Sequence, residues 1–139
     1  MKNISEPVVM PPQVSMSPDE FIRYYMKVFN TESNDALEGI FHFPHTKIGD
    51  GKMTIFPSKD TPIMDYEGIR KSGWKYTKVY DAKVISESAN SALVELDSGR
   101  FDKDNREFIR SKFYYVLTKD FNYWKILTII SIAKIAGIK

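Results

Sequence analysis

The sequence of 139 residues contains no cysteine, which excludes disulfide bonds and thiolate chemistry. It also lacks any apolar run near the ~20 residues that cross a bilayer. Its opening residues, MKNISEPVVMPP, have no long apolar core of the kind that secretory signals carry. These absences predict a cytoplasmic protein without a membrane-spanning segment.

A charge bias is also nearly absent, because 20 Lys and Arg side chains stand against 18 Asp and Glu side chains. A net charge of +2 without a dense basic run argues against nucleic acid or a membrane surface as a partner. Aromatic residues, by contrast, make up 14% of the chain, which favours a bulky core or a cavity walled by rings.

The chain length suits a single domain, and the first residues are set apart from it by composition. Residues 1–16 are rich in proline and show no lasting periodicity, so we expect an extended arm there and one domain at 17–139. Ser17 and Glu20 form a capping box, with a proline at the first helical position. Apolar and aromatic side chains then recur at helical spacing as far as Phe29.

The rest of the chain is predicted to contain two more helices and six strands. A short second helix begins at residues 33–35, and a third runs from residue 60 or 61 to Gly73. Asp50-Gly51 is a two-residue hairpin signal between strands at 45–49 and 52–56. Four long sequential strands follow and predict an antiparallel, strongly curved meander: 75–88, 91–101, 108–119 and 122–132.

Helices followed by a run of antiparallel strands indicate an α+β fold with the helices on one face of the sheet. The element order resembles the nuclear-transport-factor-2-like superfamily, and in particular its SnoaL-like bacterial proteins. Four short signatures support the resemblance: Phe43-Pro44, Gly73-Trp74, Gly99-Arg100-Phe101-Asp102 and Trp124-Lys125-Ile126. It covers about 17–132 and implies a cone-shaped, cystatin-like α+β barrel with three N-terminal helices and a small-molecule pocket. Polyketide cyclases, ketosteroid isomerases and scytalone dehydratase share this fold.

Alternation along the strands predicts which side chains face the interior. In 91–101 the apolar face includes Leu96 and continues through Ser98 to Arg100, which places a cation inside the cone near the strand end. In 122–132 both faces are apolar, with Trp124, Ile126, Ile130 and Ile132 on one, and Leu127 and Ile129 on the other. A strand that is apolar on both faces is buried on both. The outer face of the sheet is therefore predicted to form a homodimer interface, which the resemblance also implies.

Both histidines lie in the short segment HFPH. On a strand, His42 and His45 point to opposite sides, and no acidic residue stands at a recognisable ligand spacing, so the sequence predicts no metal site. Strand alternation groups His45 with Phe43 and Lys47. An imidazole beside a ring-lined cavity could take and give a proton, whereas at a sheet edge it would only bond to backbone or water.

Arg100 and Asp102 are two residues apart and so are expected to share a side. They either pair with each other or orient a polar substrate group, with Arg100 binding a carboxylate or enolate. His45 and Asp102 are the candidate catalytic residues. The candidate ligand-binding residues are the arginine and a set of aromatic side chains, with the ring pair 74 and 76 expected at the rim: Tyr25, Phe29, Phe43, Trp74, Tyr76, Arg100 and Tyr115.

Two functions remain open at this stage. One is a small-molecule pocket protein for a partly apolar, oxygenated ligand, with proton-transfer chemistry such as isomerisation, cyclisation or dehydration if it is an enzyme. The other is a non-catalytic dimerisation or association module. Neither requires a cofactor, and the sequence predicts none.

Overall fold

The computed structural model describes residues 16–132, in which three helices and a six-stranded sheet enclose one core. The helices are α1 (Pro18–Phe29), α2 (Asn34–Glu38) and α3 (Tyr66–Lys71). The strands are β1 (Phe41–Gly49), β2 (Lys52–Phe56), β3 (Tyr76–Glu87), β4 (Ser91–Phe101), β5 (Glu107–Asp120) and β6 (Tyr123–Ser131). The arm predicted at 1–16 lies outside the described residues except for Met16, and its boundary with the domain remains a prediction. No helix within 16–132 is long and apolar enough to cross a membrane.

The strands lie in the order β2-β1-β6-β5-β4-β3, and the predicted α+β fold with a curved sheet is confirmed. All neighbouring strands are antiparallel except β1 and β6, which run parallel. The expectation of a purely antiparallel sheet is therefore wrong at this pair. The chain enters β1 from α2 and runs beside the last strand, while β2 takes the outer edge of the sheet.

The first helix begins and ends where its sequence signals predict. The backbone N–H of Ser17 donates to the Glu20 carboxylate at 2.9 Å, which satisfies a donor left free at the helix start. At the other end, the Asn30 side chain donates to the Thr77 carbonyl and accepts from the Thr77 N–H, both at 2.9 Å. This paired contact ties the end of α1 to the start of β3.

The predicted hairpin between β1 and β2 is confirmed. Its two central residues, Asp50 and Gly51, have φ angles of 51° and 75°. Positive φ at both positions is the requirement of a type I′ turn, whose twist matches that of the flanking strands.

The third helix is shorter than predicted. It begins at Tyr66 rather than near residue 60, because the Asp65 side chain accepts the N–H of Gly68 at 3.0 Å and caps the helix there. Residues 57–65 before it are irregular, yet Ile63 and Met64 are buried. This segment therefore closes one side of the core without regular structure.

Alternation predicts the inner face of β4 correctly but fails on β6. Leu117 pairs with Ile126, and Val116 pairs with Thr128, so Leu127 is an extra residue that forms a bulge. The bulge moves the second half of the strand by one position. As a result Ile129 and Ser131 are buried inside with Trp124 and Ile126, whereas Ile130 and Ile132, which alternation groups with those two, are not buried.

Candidate functional site

Two cations lie inside the fold. Lys47 on β1 and Arg100 on β4 expose only 3% and 6% of their surfaces. Among the buried side chains of residues 16–132 there is no Asp or Glu. Since burying a charge in an apolar interior is costly, two buried cations in one core are unusual.

Arg100 lies against a small closed cavity between α1 and the sheet. The cavity has a volume of about 20 Å³, enough for roughly one water molecule. Its lining is mostly apolar, with a few polar groups: Tyr25, Met26, Phe29, Met64, Thr77, Ser98, Arg100, Phe113, Tyr115 and Ile129. The strand alternation on β4 and β5 places Arg100 and Tyr115 here, and the helical stripe of α1 supplies Tyr25.

The two tyrosines in this cavity act as a pair. Their ring centroids are 5.5 Å apart with a T-shaped arrangement, and the Tyr25 and Tyr115 hydroxyls are hydrogen-bonded to each other. Burial raises the pKa of each phenol, and the Arg100 cation offsets this in part. Both hydroxyls are therefore protonated at neutral pH, and because one O–H is used in the bond between them, the other can donate a hydrogen bond to a further oxygen. Burial lowers the pKa of Arg100, but a guanidinium keeps its charge at neutral pH.

Lys47 lies at the floor of a larger, open cleft of about 560 Å³. The cleft is bounded by the end of β2, the irregular segment before α3 and the start of α3: Asn34, Lys47, Phe56, Pro62, Ile63, Met64, Asp65, Tyr66 and Glu67. The Lys47 Nζ donates to the Ile63 carbonyl, lies 3.5 Å from the Met64 Sδ and is 5.1 Å from the centroid of the Phe56 ring. The amine thus meets a carbonyl, a thioether and an aromatic face.

Met64 is the wall that the closed cavity and the open cleft share. Its backbone is held by Asn34, whose side chain donates to the Met64 carbonyl at 3.1 Å and accepts from the Met64 N–H at 2.9 Å. The side chain itself is an unbranched thioether, which changes rotamer at low cost. Met64 is therefore an adaptable side chain on a fixed backbone that lines both the cleft and the cavity beside Arg100.

The surroundings of Lys47 lower its pKa from 10.5 to about 7. Burial is the main cause, and the Arg100 cation adds to it, while Asp65 acts in the opposite direction. A substantial fraction of this amine is consequently neutral at physiological pH. A neutral amine has a lone pair and can act as a base or nucleophile.

His45 is fully buried but lies apart from both spaces. Its ring centroid is 4.4 Å from that of Phe41, and its Nδ1 is 3.3 Å from the Ile126 carbonyl. Since a carbonyl accepts, Nδ1 carries the proton, and no partner for Nε2 lies among the described residues. Burial, and then the Lys47 cation, lower the pKa of His45 to about 4, so the ring is neutral at pH 7. His45 is not among the residues that line the cavity or the cleft.

The structure separates the predicted ligand-binding residues into two groups. Tyr25, Phe29, Arg100 and Tyr115 meet in the closed cavity. The remaining three, Phe43, Trp74 and Tyr76, do not line this cavity.

Trp74 lies behind the cavity. Its ring packs against the Phe29 ring with the two centroids 5.5 Å apart, and its Nε1 donates a hydrogen bond to Thr77 Oγ1. Tyr76, two residues on, stacks on Phe101 and donates to Asn105, so the two rings do not form a common rim. Phe43 is partly buried and packs against the core: it is absent from the linings of both spaces.

Asp102 does not pair with Arg100. A register shift follows Arg100, and the Asp102 carboxylate turns into the β4–β5 hairpin, where it accepts the N–H groups of Asp104 and Arg106 at 2.8 and 3.0 Å. It also forms an ion pair of 3.4 Å with the Arg106 side chain. These contacts lower the pKa of Asp102, with the Arg106 backbone N–H the largest cause, and they make it a turn-forming residue.

Sequence reasoning did not select Lys47 as a site residue, although a signal was present. Strand alternation places Lys47 on the same side of β1 as His45, and His45 faces inward, so the same alternation also indicates an inward position for Lys47. A charged residue in the inward register of a strand is uncommon. Within residues 16–132, no group of three or more His, Asp or Glu side chains could hold a metal ion.

Structures with the same fold come from several bacteria. An NTF2-like protein with a cystatin-like fold from Novosphingobium aromaticivorans aligns with a TM-score of 0.64 at 10% identity, over 83% of this chain and 78% of that one. A Shewanella frigidimarina protein, provisionally described as a ketosteroid isomerase, aligns with a TM-score of 0.63 at 9% identity, over 84% and 95%. A Streptomyces avermitilis protein, provisionally described as a dehydratase of the NTF2-like family, aligns at 0.58 and 11% identity, over 84% and 93%.

At these identities the structural likeness concerns the fold alone. A comparison with curated proteins finds no match in sequence. Residues 18–134 match the family described as NTF2-like protein (DUF6841), and this match spans most of the chain. The chain therefore belongs to this NTF2-like (nuclear-transport-factor-2-like) family.

Proposed function

We propose that this protein binds a small, partly apolar organic anion whose body occupies the open cleft and whose charged oxygen group is attracted by Lys47 and Arg100. The observation that carries the proposal is a buried cation at the floor of a 560 Å³ cleft, with a second cation just behind the shared wall. An anionic group entering this region would lower the electrostatic cost of the buried Lys47 charge.

The sizes of the two spaces support this placement. Ligand pockets usually measure about 300–1,000 Å³, a range that includes the cleft and excludes the closed cavity. Phe56, Pro62 and Tyr66 give the cleft apolar surface for the body of a ligand. Met64 lines both spaces, and we propose that a change of its rotamer lets the ligand's oxygen group approach the Arg100 guanidinium.

Proton transfer is the chemistry that such a site would support. The hydrogen-bonded pair Tyr25 and Tyr115 offers one O–H, and the Arg100 guanidinium offers further donors, and these could stabilise the oxyanion that develops when a carbonyl enolises. The group suited to take a proton near pH 7 is the Lys47 amine, because its pKa is about 7. His45, with a pKa near 4, is not suited to this role at neutral pH.

The comparisons support the same class of function by analogy. Solved structures of this fold include proteins provisionally described as a ketosteroid isomerase and a dehydratase, and both names denote acid–base reactions on small molecules. A fold hosts many functions, so the argument for this chain rests on its own cations and cleft.

Thermal-shift measurements test the binding proposal. Benzoate, phenylacetate and 3-phenylpropionate are compared with their neutral amides, which match them in shape. A carboxylate at a hundred times its Kd would stabilise the protein by about 2.7 kcal/mol, which corresponds to roughly 8 °C for a domain of this size.

Lys47→Met should reduce the carboxylate shift measured from the variant's own melting temperature. Lys52→Met, at an exposed position on β2, is the matched control and should keep the full shift. If amides and carboxylates gave equal shifts, or if neither gave any, the proposed anion site would be wrong.

The outer face of the sheet supports a second role, self-association. Leu93 on β4 pairs with Val116 on β5, and Tyr114 pairs with Ile130 on β6, and all four side chains point away from the core. We infer that this apolar face joins two copies of the chain. Sedimentation of the wild type and of Val116→Lys would test it, since a dimer should become monomeric in the variant, and a monomeric wild type would refute it.

A further inference from the structure

The Lys47 side chain is placed as a reactive amine rather than as a structural cation. Within residues 16–132 it forms no ion pair, and its contacts are the Ile63 carbonyl, the Met64 sulfur and the Phe56 ring. The hydrogen bond to a carbonyl requires an N–H but not a positive charge. A neutral amine can therefore keep this contact and still present its lone pair to the cleft.

We propose that Lys47 forms an imine with a ketone or aldehyde group of the ligand, and that the ligand class is therefore an oxo acid. The inference rests on the proposed anion site and specifies it further. The carboxylate of an oxo acid would be attracted towards Arg100, while its carbonyl carbon would meet the Lys47 nitrogen at the cleft floor. A second cation near a lysine in an apolar pocket is a known means of activating such an amine.

The reaction is balanced without an oxidant or reductant. The lone pair of the Lys47 nitrogen attacks the carbonyl carbon, a C–N bond forms, and the carbonyl π electrons move to oxygen. A proton moves from nitrogen to that oxygen to give a carbinolamine. The C–O bond then breaks, the hydroxyl group takes the second proton of the nitrogen and leaves as one water molecule, and a C=N bond remains.

The surroundings of the amine favour this reaction over simple protonation. Burial, and then the Arg100 cation, lower the pKa of Lys47 to about 7, and Asp65 at the cleft wall opposes them. The other titratable groups near it are His45 on its own strand and Tyr66 and Glu67 in the cleft wall. His45 is neutral at pH 7, and burial raises the pKa of Tyr66, so neither charges there.

Reductive trapping tests the proposal on the wild-type protein. Pyruvate, levulinate or 4-carboxybenzaldehyde is added with cyanoborohydride at pH 7, and adducts are located by intact mass and peptide mapping. At this pH an ordinary lysine has on the order of a thousandfold less neutral amine than Lys47. An amine with a lowered pKa is also less nucleophilic, and Lys47 is buried. Both effects reduce the thousandfold advantage in neutral amine, so we expect Lys47 to be labelled about tenfold faster than exposed Lys52.

Matched probes without a carboxylate, 2-butanone and benzaldehyde, should label Lys47 less than the oxo acids do. Lys47→Met should lose the preferred adduct, and Lys52→Met should keep it. Absence of a Lys47 adduct from the wild type with all three oxo acids would overturn the proposal. Equal labelling of Lys47 and Lys52 would overturn it as well.

The outcome is separable from that of the binding proposal. If carboxylates shift the melting temperature but no oxo acid labels Lys47, the anion site stands and the imine is refuted. If neither occurs, both are refuted. The wild-type peptide map needs no variant, so the test is decisive even where Lys47→Met changes the stability of the protein.

Discussion

Replacing Lys47 by methionine should make the protein more stable, and the gain should depend on pH. Methionine has a similar length and no charge, and the residue is buried. The pKa of Lys47 falls from 10.5 to about 7 on folding. At about 1.4 kcal/mol per pKa unit, this fall corresponds to a cost of about 5 kcal/mol.

The sign follows from the proton count. Between pH 7 and pH 10.5 the unfolded chain holds a proton on Lys47 that the folded chain has released, so the wild type gains stability as pH rises through this window. Below pH 7 Lys47 is charged in both the folded and the unfolded chain, so the folded protein bears the whole cost of burying that charge. Methionine removes it but leaves the Ile63 carbonyl without its donor, which costs about 1–3 kcal/mol. The expected net gain at pH 7 is about 2–4 kcal/mol.

Urea unfolding at pH 7, 8.5 and 10 measures this difference. The advantage of Lys47→Met should shrink by roughly 1.4 kcal/mol per pH unit and disappear or reverse by pH 10. Lys52→Met is exposed and should stay within about 0.5 kcal/mol of the wild type at each pH. A variant that is less stable at pH 7, or a difference that does not vary with pH, would refute the account of Lys47.

Three further predictions concern the residues around the site. The pKa of His45 falls from 6.5 to about 4, so wild-type stability should drop by about 3 kcal/mol from pH 6.5 to pH 4, and urea unfolding of His45→Phe should show a smaller drop. In Gly99→Ala the new Cβ would lie 1.8 Å from Glu107 Oε2 and 3.1 Å from the Tyr80 ring, so calorimetry should show a loss of about 1–3 kcal/mol. Asp102→Ala should lower the melting temperature, because the hairpin loses its acceptor, but should leave the thermal shift by benzoate unchanged. If benzoate no longer shifted the melting temperature of Asp102→Ala, Asp102 would contribute to the binding site and this prediction would be wrong.

Local signals in the sequence predict much of the fold. The capping box at Ser17 and Glu20 and the Asp50-Gly51 turn act over a few residues, so they specify α1 and the hairpin directly. The alternation on β4 is uninterrupted as far as Arg100, and it places that cation inside. These features depend on neighbouring residues alone.

Features that depend on distant contacts are less predictable. The extra residue Leu127 is a bulge only in relation to β5, and nothing in the sequence of β6 marks it. Asp102 lies two residues beyond Arg100, but the register shift between the strands takes it to a different side. The open cleft around Lys47 is bounded on one side by residues 57–65, an irregular segment that no sequence periodicity indicates.

The bulge at Leu127 also makes β6 a strand with two phases. Residues before it and residues after it obey opposite alternation rules, so removing Leu127 would leave one continuous alternation in which Ile126 and Ile129 both still face inward. Deletion of this one residue should therefore preserve the buried face of β6 and remove only its bend. Among relatives of this chain, we expect copies of β6 that are one residue shorter and keep the same inward side chains.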